Sequence, residues 1–483
     1  MSDLENQRFH IDRSRQSSLE SQNHFMPSLI GAMSHINNFR NGQSIPPSSN
    51  VTLSGSTTEL DLEGAQTPPV HTVDSSTDLF MKCHNENQEK ERRNSVYPSA
   101  LPSPKSLKHD PPSPPNPEPT PERLSTKERM RHFTWAWYTS CMSTGGIAIL
   151  MHVVPHKFHG IEYIGRVFYI LQLCLFVGIL SGLTYRFMTF PGTLARSLTH
   201  HIEGLFVPTI FIAMATMLSN ARIYGGPHCG PWLDTALRVC FWIYSAVTFV
   251  VAVTQYQFIF ENRVLNMQSM TPGWLLPVFA PMMAGTIAIN IAEFQPRAQA
   301  LPICVCGLVM QFLGFFMFLF LMSLWVCRLV MYSLPPVGTR PGMFIAVGPP
   351  SFTAFVIIDL ARIATIKLGE TGQDVAWLNL FAVLTASAIL IISVWFVALT
   401  LAGLLPQIRS LHFKLGWWAL VFPNIGFTIA IITVAEAYQC EWLKWVGTVF
   451  VIIMVAMWFL VGANHLIAVW KGRIMWPGRD EDA

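Results

Sequence analysis

The sequence predicts an all-α polytopic membrane protein with ten transmembrane helices, arranged as five helical hairpins around a central pore with the odd-numbered helices inside. Three observations lead to this prediction. Of the 483 residues, 51% are hydrophobic and only 13% are charged. From Phe133 to Trp470 the chain is a series of apolar runs, many of about 20 residues, the length that crosses a hydrocarbon core. Prolines also recur inside alternate runs and are absent from the interiors of the runs between them.

Polar composition is concentrated at the two ends of the chain. Residues 1–121 lack apolar periodicity and are rich in Ser, Pro and Asn, which predicts a disordered tail. The first apolar run long enough to insert begins near Phe133, so we expect this tail to remain in the cytoplasm. We therefore divide the chain into a cytoplasmic tail (1–121), a ten-helix transmembrane domain (122–472) and a short charged cytoplasmic tail (473–483).

Charge and motif content argue against several classes of protein. The net charge of +3 is small and spread between the spans, so no nucleic-acid partner is expected, only the surrounding membrane lipid. The sequence contains no P-loop, no HExxH and no GxSxG in a strand–turn–helix setting. It also has no CxxC pair and no Cys/His pattern with zinc spacing. We therefore predict no catalytic residues, no metal site and no cofactor, and the chain does not read as an enzyme.

The apolar runs define ten spans, and the interfacial charges define their orientation. The spans are predicted at 133–152, 164–188, 201–222, 233–260, 273–293, 302–331, 342–366, 375–401, 414–436 and 442–469. An even number of spans places both ends of the chain on one side. Lys and Arg residues close to the spans are more numerous on that side, which predicts that both termini are cytoplasmic.

The odd-numbered spans carry helix-breaking residues. A proline inside a helix removes a backbone donor and leaves a carbonyl unpaired, which is tolerated where the helix packs against protein or lines a wet cavity. We therefore expect the odd helices to surround the pore and these residues to shape it. They are Gly145 and Gly146 in span 1, Pro208 in span 3, Pro277 and Pro281 in span 5, Pro349 and Pro350 in span 7, and Pro423 in span 9.

Aromatic and hydroxyl side chains accompany these breaks. Phe206, Phe279, Phe352 and Phe422 each lie close to a proline of an odd span, where a ring can either occlude the pore or simply fill a helix contact. Small polar side chains on the odd helices can donate hydrogen bonds to a small anion. The candidate substrate-binding residues of this kind are Ser143, Thr144, Ser351 and Asn424.

Ionisable residues close to the spans supply the remaining candidates. Arg362 can bind a carboxylate through its guanidinium fork, or it can pair with Asp359 or reach the outer interface. His200, His201 and Glu203 open span 3 on the cytoplasmic side. These three residues form a candidate proton relay near neutral pH, or they mark a hydrated helix end.

Five stretches of the chain resemble a known family. They are HFTWAWYTSCMSTGG (132–146), THHIEGLF (199–206), RPGMFIAVGPPSFTAF (340–355), GWWALVFPNIGF (416–427) and WPGRDEDA (476–483). Together they make residues 127–483 similar to the malate-type branch of the tellurite-resistance/dicarboxylate transporter (TDT) family. This family also includes bacterial TehA and the plant slow anion channels.

The resemblance implies a fold, an activity and a gate. It implies ten helices in five hairpins around a pore, often assembled as homotrimers, with passage of C4-dicarboxylates such as malate, succinate or fumarate across the plasma membrane. Members carry a phenylalanine on the ninth helix that occludes the pore, and the VFP motif places that residue at Phe422. The IAR segment after VGPP also resembles the malate-type branch, which favours a substrate-binding role for Arg362.

The leading functional hypothesis is therefore transport of small dicarboxylate anions through a pore with a phenylalanine gate. An anion channel or a sulfite efflux transporter on the same scaffold is the first alternative. A membrane receptor or sensor that uses the long tail is an alternative from another class. The motifs leave open whether protons accompany the substrate.

Overall fold

The structure is a computed structural model that describes residues 124–200, 202–262, 267–369 and 372–476. The two predicted tails lie almost entirely outside the described residues. Within these ranges the protein is a bundle of helices joined by turns and short helical segments, with no strand. The prediction of an all-α polytopic membrane protein is confirmed.

In the described part of the chain, ten helices of 12 residues or more build the bundle, and we number them α1 to α10; two shorter helices, Thr126–Met130 and Thr193–Thr199, are not numbered. Their bounds are α1 Tyr138–Val153, α2 Ile161–Thr189, α3 Thr209–Asn220, α4 Trp232–Asn262, α5 Leu276–Ile291, α6 Arg297–Tyr332, α7 Gly348–Leu368, α8 Gln373–Leu404, α9 Phe422–Ala437 and α10 Glu441–Trp470. Counted with the short 3₁₀ or π segments that adjoin them, nine helices in the described part of the chain are long and apolar enough to cross a membrane. Helix α1 has 16 residues and is shorter, although a 3₁₀ turn, Trp135–Trp137, precedes it.

The odd-numbered helices form a closed inner ring. Helix α1 contacts α3, α3 contacts α5, α5 contacts α7, α7 contacts α9, and α9 returns to α1. In the most apolar stretch of α3, α5, α7 and α9, 56% to 94% of the residues are buried, against 22% to 39% in the even helices. Every residue of α1 from Tyr138 to Met151 is buried. The inner helices are therefore shielded by protein, and the even helices present their outer surfaces to lipid.

The even helices pack against the outside of this ring. Helix α2 packs on α1, α6 lies between α5 and α7, α8 packs on α7, and α10 packs on α9 and α1. Helix α4 departs from the simple hairpin scheme, because it packs mainly on α5 and has few contacts with α3, its partner in sequence.

All five inner helices run in the same direction. We call the end of the bundle where they begin the N face, and the end where they finish the C face. The chain also starts α1 and finishes α10 at the N face, where the Arg129 guanidinium donates a hydrogen bond of 2.6 Å to the Val469 carbonyl. The N face corresponds to the side predicted to be cytoplasmic.

The inner helices are broken in a common way, which differs from the interruption expected from the sequence. A 3₁₀ segment precedes each of them, and the α-helix starts immediately or shortly after it. Pro277, Pro349 and Pro423 lie in the first helical turn, and Pro208 is the N-cap residue of α3. Donors in a first turn have no intrahelical acceptor, so a proline there removes nothing. The prolines therefore start the α-helical segments and do not interrupt them.

Two prolines lie inside α-helices of the described ranges, and Pro341 lies inside the 3₁₀ segment before α7. Pro281 falls within α5, as expected for an inner helix. Helix α6 begins at Arg297, earlier than predicted, so Pro302 lies inside an outer helix. The prediction that the even helices have no interior proline is therefore wrong at this one position.

Candidate functional site

Three phenylalanine rings from different inner helices meet inside the ring. Phe422 of α9 stacks on Phe352 of α7 with ring centroids 5.4 Å apart. Phe279 of α5 makes edge-to-face contacts with both, at 5.9 Å to Phe422 and 5.4 Å to Phe352. All three side chains are buried, and Phe422 is only 1% exposed. We call these three residues the aromatic cluster. It places the predicted gate residue Phe422 in contact with two rings that the sequence also singled out.

Glycines next to the cluster allow these rings to approach the neighbouring helices. A Cβ atom added at Gly426 would lie 2.3 Å from the Phe352 ring, and one at Gly348 would lie 3.1 Å from the Phe279 ring. Neither distance is compatible with a side chain unless a ring moves. Gly426 and Gly348 therefore help to fix the positions of the rings.

The glycine pair of α1 serves two different contacts. A Cβ at Gly146 would lie 2.7 Å from Ile425 of α9, so this glycine closes the ring between α1 and α9. A Cβ at Gly145 would lie 2.3 Å from the Gln172 amide of α2, so this glycine admits the outer helix. Of the two, Gly146 faces the inside of the ring.

A cavity of about 460 Å³ opens at the N face and reaches the aromatic cluster. Phe279 and Phe422 are both among its lining residues, together with Thr139 of α1 and Phe206. The rest of the wall consists mainly of the 3₁₀ segments and loops that precede α5, α7 and α9. We call this cavity the N-face vestibule. Because it ends at the aromatic cluster, the cluster separates it from the C-face half of the ring.

The predicted polar ligands on α1 lie outside this vestibule. The Ser143 hydroxyl donates to the Thr139 carbonyl at 2.7 Å, and the Thr144 hydroxyl donates to the Ser140 carbonyl at 2.8 Å. Thr144 also accepts a hydrogen bond of 3.1 Å from the Trp458 indole of α10. Thr144 is thus oriented toward an outer helix.

The predicted polar ligands on α7 and α9 are engaged in a similar way. The Ser351 hydroxyl donates to the Val347 carbonyl at 2.7 Å and lies 2.9 Å from the Ser393 hydroxyl of α8. The Asn424 amide nitrogen donates to the Leu420 carbonyl at 2.9 Å. Neither residue lines the vestibule, whereas Pro423, next to Asn424, does.

Arg362 lies on α7, toward the C face. Its guanidinium is 3.4 Å from the Asp359 carboxylate one helical turn earlier, and its side chain is 54% exposed. It does not line the vestibule. The structure therefore shows the pairing with Asp359 that the sequence allowed, at the opposite end of α7 from the aromatic cluster.

The candidate proton relay forms part of an ion-pair cluster at the N face. Glu203 binds Arg186 of α2 through both carboxylate oxygens, at 2.5 Å and 3.3 Å, and its backbone N–H donates to His200 Nδ1 at 3.1 Å. Arg186 also donates to the Phe133 carbonyl at 2.7 Å. His201 lies outside the described residues. The cluster thus links the end of α2 to the chain segments that lead into α1 and α3.

Sequence reasoning missed two buried amides on outer helices. Gln172 of α2 donates to Thr216 at 2.7 Å and accepts from Asn220 at 3.0 Å, which ties α2 to α3. Gln311 of α6 bonds Thr353 of α7 at 2.9 Å, and a Cβ at Gly285 of α5 would lie 2.5 Å from its amide. A glutamine in the middle of an apolar span was the available signal, because a buried amide in a membrane needs partners on another helix.

The fold and site together define a multi-pass membrane protein with an inner ring of helices around an occluded path, which is the architecture of a channel or transporter. The chain belongs to the voltage-dependent anion channel (SLAC1) family, whose model matches residues 132–466. Its relatives include a malic acid transport protein and a putative malic acid transport protein of Schizosaccharomyces pombe. These are 32% and 31% identical, each over 74% of this chain and over 83% and 85% of their own length. A sulfite efflux pump of Arthroderma benhamiae is 24% identical over 69% of this chain and 89% of its own. The protein is therefore an anion transport protein of this family.

Proposed function

We propose that this protein carries C4-dicarboxylates such as malate, succinate and fumarate across the plasma membrane, through the centre of the inner ring, with Phe422 as the gate. The observation that carries the proposal is the N-face vestibule, which leads through the ring to an aromatic cluster containing Phe422. The relatives named as malic acid transport proteins support the choice of substrate.

The aromatic cluster suits the role of a gate for an anion. Three apolar rings in contact leave no polar group to replace the hydration shell of an ion, so an ion cannot pass until the rings separate. The direction of the inner helices favours anions at the N face. All five begin there, and the start of each helix carries a partial positive charge.

Other predicted residues take secondary roles in this proposal. Arg362 lies toward the C-face end of the path. There its exposed guanidinium can release the Asp359 carboxylate and bind a carboxylate of the substrate instead. Ser143, Thr144, Ser351 and Asn424 become ligands only if the path widens and their present hydrogen bonds change. The proposal further includes assembly as a homotrimer and a cytoplasmic location for both termini. It also includes movement of protons through His200, His201 and Glu203.

Uptake of labelled malate into proteoliposomes that contain the purified protein tests the proposal. We expect uptake above that of empty vesicles, and competition by unlabelled succinate and fumarate. Measurement at two external pH values, with and without a membrane potential, separates proton-coupled transport from channel-like flux. Uptake no greater than in empty vesicles would contradict dicarboxylate transport.

The second candidate function is movement of a smaller anion such as sulfite or chloride. Its support is the relatives named as sulfite efflux pumps and the family description as a voltage-dependent anion channel. Currents carried by chloride or nitrate, or sulfite efflux, that malate does not reduce would favour this function over dicarboxylate transport.

Arg362→Ala should weaken malate uptake while the protein still inserts and folds. Loss of a charge-assisted hydrogen bond costs about 1.5–3 kcal/mol, which corresponds to a rise in apparent KM of about tenfold or more. The exposed position of the guanidinium argues against a large loss of stability. The measurement is malate uptake against concentration at matched expression.

Asp359→Asn is the matched control for Arg362. It leaves the guanidinium in place without its 3.4 Å carboxylate partner, so we expect malate uptake to be retained or improved. An unchanged KM in Arg362→Ala would assign Arg362 to the ion pair alone.

A further inference from the structure

Helix α10, every residue of which is described, carries a single buried polar side chain. The buried residues of this helix lie at intervals of three, four or seven positions, so they form one stripe along it. They are Gly447, Val451, Met454, Val461, His465 and Ala468. His465 is 6% exposed and lies near the N-face end of the helix. An ionisable side chain buried in a membrane span is costly, so its contacts should show what it does.

The His465 imidazole accepts a hydrogen bond from the segment that leads to the proposed gate. The Trp418 indole N–H donates to His465 Nδ1 at 3.2 Å, and both side chains are buried. An indole nitrogen is only a donor, so Nδ1 must be unprotonated and the proton of the neutral ring lies on Nε2. In the described part of the chain, Nε2 has no hydrogen-bond partner. The polar contact of His465 is therefore the one bond from Trp418.

Three aromatic rings surround the imidazole and fix its orientation. Phe413 stacks on it with ring centroids 5.5 Å apart, and the Trp137 ring centroid lies 4.5 Å away. The Trp418 ring meets it edge-on at 6.0 Å. Trp137 belongs to the 3₁₀ turn before α1, whereas Phe413 and Trp418 belong to the chain before α9. His465 thus contacts the segments that lead into α1 and α9, the two helices whose contact closes the inner ring.

Trp418 is directly connected to the start of the gate helix. It belongs to the 3₁₀ segment Leu415–Leu420, and its carbonyl accepts a hydrogen bond of 3.0 Å from the Val421 N–H, next to Phe422. Ala419 and Phe422 line the N-face vestibule, whereas the Trp418 side chain is bonded to α10. The same short segment therefore has one side toward the vestibule and the other toward α10. Displacement of Trp418 from α10 would move the start of α9 and the Phe422 ring with it.

We propose that His465 is a positioning residue of the gate: through its hydrogen bond with Trp418 it holds the start of α9, so that the Phe422 ring stays in the aromatic cluster. This role rests on the proposed function, in which Phe422 closes the path, and it adds an outer helix to the gate. Neither His465 nor Trp418 is among the described residues that line the vestibule. Both act on the gate from behind it, without touching an anion in the vestibule.

His465→Phe removes the acceptor and keeps an aromatic ring beside Trp137 and Phe413. We expect the basal chloride leak of proteoliposomes, normalised to folded protein, to rise about fivefold, the effect of one neutral hydrogen bond whose loss is fully expressed in the barrier. The midpoint of thermal unfolding should stay close to that of the wild type. The reason is that the unpaired Nε2–H of His465 disappears while the Trp418 N–H becomes unpaired. A residue needed only for folding would lower the midpoint and leave the leak unchanged.

Three further variants test the hydrogen bond itself. His465→Gln supplies an amide oxygen that can accept from Trp418, so its leak should be lower than that of His465→Phe. In a Trp418→Phe background no indole N–H remains, so His465→Phe should produce no further rise in leak. His156→Phe is the matched control and should leak like the wild type. His156 also contacts α10, with its ring 3.8 Å from Trp445 and its Nδ1 2.8 Å from the Thr448 hydroxyl, but it does so at the C face.

The outcomes separate the positioning role from the proposed function. If Phe422→Ala leaks and His465→Phe does not, the positioning role is overturned and the gate stands. An equal rise in leak from His465→Phe with and without the Trp418 indole also overturns the role. If neither Phe422→Ala nor His465→Phe leaks, the gate is overturned, and the positioning role with it. If both leak as expected but the wild-type protein transports no malate, only the choice of substrate is overturned.

Discussion

Replacing Phe422 by alanine should raise the basal anion leak of the protein about tenfold or more. The Phe422 ring is 1% exposed and contacts both Phe279 and Phe352, so its removal opens the point where the three rings meet. The N-face vestibule would then extend past the cluster. A reduction of about 1.4 kcal/mol in the barrier is enough for a tenfold rise in flux. The measurement is chloride or malate flux in proteoliposomes without a driving gradient for coupling ions.

Two controls separate gating from loss of structure. Truncation of a buried phenylalanine costs about 3–5 kcal/mol of stability, so leak must be normalised to folded protein. Phe422→Leu keeps an apolar side chain at the constriction and should leak less than Phe422→Ala. Equal leak in Phe422→Ala and wild-type protein, at equal folded amount, would remove Phe422 from the gate.

Replacing Glu203 by alanine should destabilise the protein by about 3–5 kcal/mol, because Arg186 would remain buried without its counter-ion. Side-chain exposure is 8% for Arg186 and 4% for Glu203, so little solvent is available to compensate. Arg186 also fixes the Phe133 carbonyl, so we expect the chain before α1 and the start of α3 to loosen together. Thermal unfolding in detergent measures the loss as a lower midpoint temperature.

The double variant Glu203→Gln with Arg186→Gln tests whether the pair is structural. Replacing both partners removes the unpaired charge, so the double variant should be more stable than Glu203→Ala. A proton relay makes a different prediction for Glu203→Gln alone, namely normal stability with loss of the pH dependence of uptake. Normal stability of Glu203→Ala would contradict the role of Glu203 as the buried partner of Arg186.

The helices and their layering could be predicted because both follow from the membrane. Apolar length marks a span, and a proline or a glycine pair in a span predicts a helix shielded from lipid, which the burial of the odd helices reproduces and Pro302 of α6 does not. The geometry of the breaks could not be predicted. A proline at position 349 fits either a kink inside a helix or a first turn, and only packing of the preceding 3₁₀ segment, Val337–Val347, decides between them.

The site was less predictable than the fold. The motif was enough to predict that Phe422 lies at the gate position. Its contacts with Phe279 and Phe352 could not be predicted, because they depend on how each helix is rotated about its own axis. Arg328 at the end of α6 and Lys414 before α9 both line the N-face vestibule, but in the sequence they have the same composition as charges at a helix end that face water. Ser351 shows the converse, since its hydroxyl is oriented toward α8.

The closed inner ring also has a consequence for biosynthesis. The last contact needed to close the ring is the one between α1 and α9. These two helices are farther apart in sequence than any other neighbours in the ring. During synthesis we expect the less apolar inner helices to be stabilised in the bilayer by the more apolar outer helices that pack on them. A central path therefore comes into existence only when α9 reaches α1.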